Sequence, residues 1–144
     1  KNFSYCFKST KSYPAILEFK KLKKIITFNG KNKIFIRPIN VEHGEINCLA
    51  FVINNKCAYA SDVSKFHIKD LKYLKNLKYL VIDCLRFTPH PSHYNLEQAL
   101  NLIEKLKPKK AILTNMHSDL DYNYLLKILP KNVKPAYDGL SFNI

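Results

Sequence analysis

Short apolar runs punctuated by turn residues fill the first half of the chain, and helix-spaced apolar residues enter in the second. Ile25–Phe28 reads as a strand that Asn29-Gly30-Lys31-Asn32 turns into Lys33–Arg37, with Pro38 marking an edge or terminal segment. Cys48–Ile53 is too short for a helix and suits a buried strand, turned at Asn54-Asn55-Lys56 into Cys57–Ala60. Tyr79–Ile82 and Ala111–Leu113 are further buried strands. Between them Leu96, Ala99, Leu100, Leu102, Ile103 and Leu106 make a broad helical stripe. Asn95 and Gln98 supply a capping-box pattern at its start, and Pro108 ends it. Leu71, Leu74 and Leu77 predict a short helix over Ile68–Leu77, and Tyr122–Leu129 predicts another, stopped by Pro130. Val133–Pro135 and Leu140–Ile144 read as short terminal strands. Residues 1–15 lack a period and read as loop, with a short strand around Tyr5–Phe7. Hairpins first, then strands alternating with helices, predict an α/β or α+β sandwich.

Composition narrows the class. With 144 residues, 47% hydrophobic and 24% charged, the chain has room for one domain with a real core. No apolar run approaches the roughly 18–20 residues of a membrane span, and no signal-peptide pattern appears, so a cytoplasmic protein is expected. Cys6, Cys48, Cys57 and Cys84 form no CxxC pair and lie in apolar contexts, which predicts free thiols in a reducing compartment. The first residue is Lys1, which predicts a natural start further upstream. The formal charge of +13 is almost all lysine, since Arg37 and Arg86 are the only arginines. Bidentate recognition of phosphate or guanine prefers arginine, so nucleic acid is not the favoured partner, while anionic substrates are. The cluster Lys20–Lys24 reads as a solvated face.

Candidate chemistry sits just beyond predicted strand ends, where α/β proteins place their sites. His43 follows one strand, Asp62 another, His93 precedes the long helix, and His117 lies in the turn after Ala111–Leu113. Each also has a plain structural reading. Asp62 can cap a helical turn, and Asp119 and Asp121 can do the same, with Asp119 alternatively orienting His117. His90 and His93 can be ordinary loop residues, His67 reads as surface, and Asp83 with Arg86 either orients the loop bearing His93 or forms a surface ion pair.

Taken together, VEHGE around His43, YASDVS around Asp62, DCLRFTPHPSHYNLEQAL through His93, ILTNMHSDLDY around His117 and the closing PAYDG resemble the metallo-β-lactamase superfamily. The likeness is to its branch of cyclic phosphate phosphodiesterases, with tRNA 3′-processing nucleases as more distant relatives. That resemblance implies an αββα sandwich of two similar halves with a two-metal site at the sheet edges. It implies that His43 is a metal ligand, Asp62 the carboxylate bridging two metals, His117 the last histidine ligand, and His93 the residue that supplies a proton to the leaving group. Zinc or manganese suits such donors. Two departures stand out. Relatives often place the last ligand directly after the Leu-Thr pair, where this chain has Asn115. The family signature HxHxDH is absent, because the only histidines are His43, His67, His90, His93 and His117.

The expectation is therefore a C-terminal portion, spanning residues 1–144, of a metallo-β-lactamase-like domain without its N-terminal metal-binding segment. Alone it is expected to be catalytically incomplete and to associate through uncovered sheet surface. The complete protein is expected to be a phosphodiesterase acting on a small phosphate ester, a cyclic one in the branch it resembles. A non-catalytic basic module binding RNA or a partner chain, and one half of a split hydrolase, stay open as alternatives.

Overall fold

The computed structural model describes residues 3–144. Three strands open the fold, β1 (Ile26–Phe28), β2 (Ile34–His43) and β3 (Ile46–Ile53), followed by β4 (Cys57–Ala60) and the two-residue β5 (Lys65–Phe66). After a 3-10 turn at Ile68–Tyr73 come β6 (Tyr79–Asp83), α1 (Leu96–Leu106), β7 (Lys110–Thr114), α2 (Tyr122–Ile128) and β8 (Val133–Pro135). All eight strands join one mixed sheet in the order β1-β2-β3-β4-β6-β7-β8, with β5 paired to β2.

Pairing is antiparallel from β1 to β4 and parallel from β4 to β8. Two antiparallel steps separate β2 from β4, so β2 runs in the same direction as β4, β6 and β7. The carboxyl ends of these strands, at His43, Ala60, Asp83 and Thr114, therefore share one edge of the sheet. That edge carries the site.

On one face, Leu80 and Ile82 of β6, Ala111 and Leu113 of β7, and Ala58 and Ala60 of β4 pack with Leu96, Ala99, Ile103 and Leu106 of α1. Helical spacing puts those α1 side chains on one stripe, and alternation along each strand supplies the facing row. Asn95 caps α1 as a full capping box: its side chain accepts from the Gln98 N–H at 2.9 Å, and Gln98 returns an acceptor to the Asn95 N–H at 3.0 Å. The intervening strand residues Cys57, Tyr79, Val81 and Ile112 face the other way and are covered by Ala136, Leu140 and Phe142.

Four local expectations change. Pro38 lies inside the ten-residue β2 and does not end it. It pairs with Phe51 on one side, while on the other β1 meets β2 only at Ile34–Ile36 and β5 only at Val41–Glu42, so the missing N–H removes no ladder bond. The three-residue leucine spacing belongs to a 3-10 turn, whose period is 3.0 residues, and Leu74 and Leu77 anchor it in the core. Ser4–Cys6 is a 3-10 turn instead of a strand, while residues 1 and 2 of the predicted loop lie outside the described residues. Leu140–Ile144 has no strand partner among the described residues and is held by Leu140 and Phe142 packing on the sheet.

Candidate metal centre

Three loops converge at the shared edge. The first is the tight turn after β2, where Gly44 has φ +60° and a Cβ would stand 2.6 Å from Ser92 Oγ. That close approach brings His43 against the His93 loop, and His43 Nδ1 lies 2.8 Å from the Ser92 carbonyl oxygen. The second loop leaves β4 through Ser61 and Asp62, and is tied down by the Ser64 N–H donating to Glu42 O at 2.8 Å. The third, from Cys84 to Asn95, folds back on itself, with the Leu85 N–H donating to Tyr94 O and the Tyr94 N–H to Val63 O. Arg86 braces it by donating to the carbonyls of Thr88 and Pro89.

The result is a cluster in which one donor atom each of His43, Asp62 and His93 lies within 4.8 Å of the other two. The His43 and His93 rings meet edge to face at 4.5 Å between centroids. Hydrogen bonding sets their tautomers. A carbonyl oxygen can only accept, so His43 Nδ1 carries a proton and Nε2 keeps its lone pair. His93 Nδ1 sits 2.7 Å from Asp83 Oδ2 and donates to it, which again leaves Nε2 free. Both imidazoles thus have the arrangement found in metal-bound histidines, one nitrogen held by an acceptor and the other presented outward. Donors around a zinc ion stand about 3–4 Å apart, so small side-chain shifts would close the cluster on a divalent cation. The donor set of two imidazoles and a carboxylate is compatible with a divalent metal ion.

Asp83 is the buried member. Fully excluded from solvent, it accepts from the Val63 N–H at 3.0 Å, from His93, and from Asn115 Nδ2 at 3.3 Å. Burial pushes its carboxyl above the usual range, and the three hydrogen bonds act against that shift. The hydrogen bond with His93, where the His93 side chain is 14% exposed, decides between the two sequence readings of Asp83: it orients the histidine. Sequence reasoning undervalued this residue. The available signal was an acid closing a strand whose every residue is buried. His90 stands beside the cluster, its ring 5.1 Å from His93, with Nδ1 accepting from the Ser92 N–H. Removal from water, with the positive charge of Arg86 nearby, lowers its pKa.

His117 is not brought into the cluster. Its backbone N–H donates to Leu85 O at 2.7 Å, and its imidazole, 63% exposed, pairs through Nδ1 with Asp119 at 3.0 Å. Asn115, directly after β7, takes the inward position instead, in a left-handed conformation with φ 59°. Asp121 caps α2 by accepting the Tyr124 N–H at 2.7 Å.

The beta-lactamase superfamily domain matches residues 2–116. The chain belongs to this superfamily. Among solved structures it is similar to a diphosphatase of the PhnP family, at 28% identity and a TM-score of 0.81, over 89% of this chain and 49% of that one. The metallo-beta-lactamase fold protein YhfI of Bacillus subtilis superposes at a TM-score of 0.69 and 16% identity, over 89% of this chain and 56% of its own, which adds support for the fold. An octanoyltransferase of Porphyromonas gingivalis strain W83 is 30% identical over 108 residues, 73% of this chain and 22% of that protein. The superfamily chain described here thus spans about half the length of the solved structures it matches and less of the curated relative. Its fold is the mixed-sheet arrangement of metallo-β-lactamase proteins. Among the described residues no helix is long and apolar enough to cross a membrane.

Proposed function

We propose that the protein bearing this chain is a metal-dependent hydrolase of phosphate esters, and the observation that carries this is the convergence of His43, Asp62 and His93 with both Nε2 atoms free. In this reading His43 Nε2 and the Asp62 carboxylate hold one or two divalent ions, zinc or manganese. With His93 kept for proton transfer, His43 and Asp62 are fewer donors than even one ion needs, so further ligands would come from a segment outside these 144 residues, the present chain forming one half of an αββα domain. When bound, such ions would supply Lewis acidity, activating a water at neutral pH and offsetting charge on the phosphoryl group.

The chain's own residues would do the rest. Asp83 stabilises a positive charge on His93, so that Nε2–H can protonate the leaving oxygen as its bond to phosphorus breaks. The attacking water forms the new phosphorus–oxygen bond and gives up the proton that restores His93. Ser61 donates to Asp62 Oδ2 at 2.8 Å and holds that carboxylate in place. The likeness to a PhnP-family diphosphatase supports a small phosphorylated substrate, and the net charge of +13 favours an anionic one. The octanoyltransferase is matched over only 22% of its length, so its acyl transfer is not carried over to this chain. Free Cys6, Cys48, Cys57 and Cys84 fit a reducing cytoplasm.

The test is metal content and hydrolysis of bis(p-nitrophenyl) phosphate by the complete gene product, beside Asp62→Ala and His93→Ala. Asp62→Ala is expected to lose most of the metal, and His93→Ala to keep much of it while losing about 100-fold or more in rate. Metal and rate unchanged in Asp62→Ala would remove this reading.

A further inference from the structure

Asn115 stands where relatives often have a ligand, yet its contacts are those of a clamp. Its amide nitrogen is 3.1 Å from the Ser61 carbonyl oxygen and 3.3 Å from Asp83 Oδ1. Both neighbours accept, so the –NH₂ group faces them, and its two hydrogens match two acceptors. The same nitrogen is 3.3 Å from His93 Nδ1, a close approach between two donors that leaves Nδ1 to Asp83. Asp83 is then fixed at both oxygens, Oδ1 by Asn115 and Oδ2 by Val63 and His93. One side chain ties together the loop of Asp62, the end of β6, and through Asp83 the ring of His93. The left-handed backbone at φ 59° aims the amide inward, and asparagine tolerates that conformation better than most residues.

We propose that Asn115 is a positioning residue: it locks the Asp83–His93 pair against the strand end that carries Asp62, and it does not ligate the metal. The functional consequence rests on the hydrolase reading above, whereas the clamp itself is a statement about His93. A ligand role would place the amide oxygen toward the ion, and the geometry turns the nitrogen toward Asp83 and Ser61.

The test uses Asn115→Gly, which keeps the left-handed backbone open while removing the amide, and Asn115→Asp, both in the complete gene product. The readouts are the imidazole Nδ1–H signals of His93 and His43 by nitrogen-15 NMR, and zinc affinity by competition with a chromogenic chelator. Asn115→Gly is expected to broaden or shift the His93 signal while leaving that of His43 in place, and to weaken zinc about 10-fold, as loss of an outer support does. Asn115→Asp sets a second carboxylate against Asp83 and is expected to weaken zinc further. Tighter zinc in Asn115→Asp would identify the position as a ligand and overturn the proposal, as would an unchanged His93 signal in Asn115→Gly. If the unmodified protein binds no zinc or manganese, the hydrolase reading fails, and the His93 signal still decides the clamp.

Discussion

The two faces of the sheet are made from neighbouring residues on the same strands, yet they end differently. On the α1 face, Ala58, Leu80, Ile82, Ala111 and Leu113 are all 0% exposed. On the opposite face, one residue along, Tyr79, Val81 and Ile112 are covered by the C-terminal segment, but further across the sheet Leu49 is 42% and Tyr59 44% exposed. The register Phe51↔Tyr59 puts Leu49, Phe51 and Tyr59 on this open side together. Parallel strands in α/β proteins are covered on both faces and read as continuous apolar runs, as YLVID and AIL do here. One face is finished by the chain's own helix. The other is finished only where Leu140 and Phe142 reach it.

The largest expected effect tests that asymmetry directly. Leu80→Ala removes a fully buried side chain and should cost about 3 kcal/mol, whereas Leu49→Ala on the open face should cost less than about 1 kcal/mol, read from urea midpoints at constant slope. Equal costs would mean that the open face is covered in solution. A smaller effect sharpens the same point. If Leu49, Phe51 and Tyr59 form an exposed apolar patch, the 144-residue chain should self-associate at high concentration. Leu49→Lys with Tyr59→Lys should then return it toward its 16.8 kDa monomer mass by sedimentation. If a further segment of the gene product packs on this face, the same pair should instead destabilise the longer protein. Loss of stability in neither setting would separate this face from any sheet contact.

What could be read from sequence follows the range of the interactions. The capping box at Asn95 and Gln98, the buried β6 and the helical stripe of α1 depend on neighbours within a few residues, and pattern alone reached them. The arrival of His43 and Asp62 at one edge follows from strand direction, which hairpins and crossovers determine; the expected third member is the Thr114–His117 turn, whereas the loop after β6 brings His93 there instead. Pro38 left an edge and a terminal reading open, and the local edge it occupies depends on where β1 and β5 stop. The turn after β7 was out of reach for another reason. Whether Asn115 or His117 faces the cluster depends on one left-handed residue and on a hydrogen bond from His117 to Leu85, more than thirty positions away in sequence. Nothing in ILTNMHSDLDY reports either.

The cysteines give the mildest test of the same comparison, because they sample both exposure regimes without any substitution. Cys57 and Cys84 are buried, while Cys6 and Cys48 are partly exposed. Desolvation raises the Cys57 thiol, and for Cys84 desolvation together with the nearby Asp83 and Asp119 carboxylates pushes it to about 12. A thiol with that pKa is thiolate in only about one molecule in ten thousand at pH 8, and the thiolate is the reacting species. Iodoacetamide at pH 8 should therefore label Cys6 and Cys48 within minutes and leave Cys57 and Cys84 intact until denaturant is added, as read by peptide mass mapping. Raising the pH toward 10 should still spare Cys84, because its ionisation lies higher and its burial blocks approach. Early labelling of Cys84 in native protein would mean that the strand end carrying Asp83 opens readily, and that Asp83 is not held in place by its hydrogen bonds to Val63, His93 and Asn115.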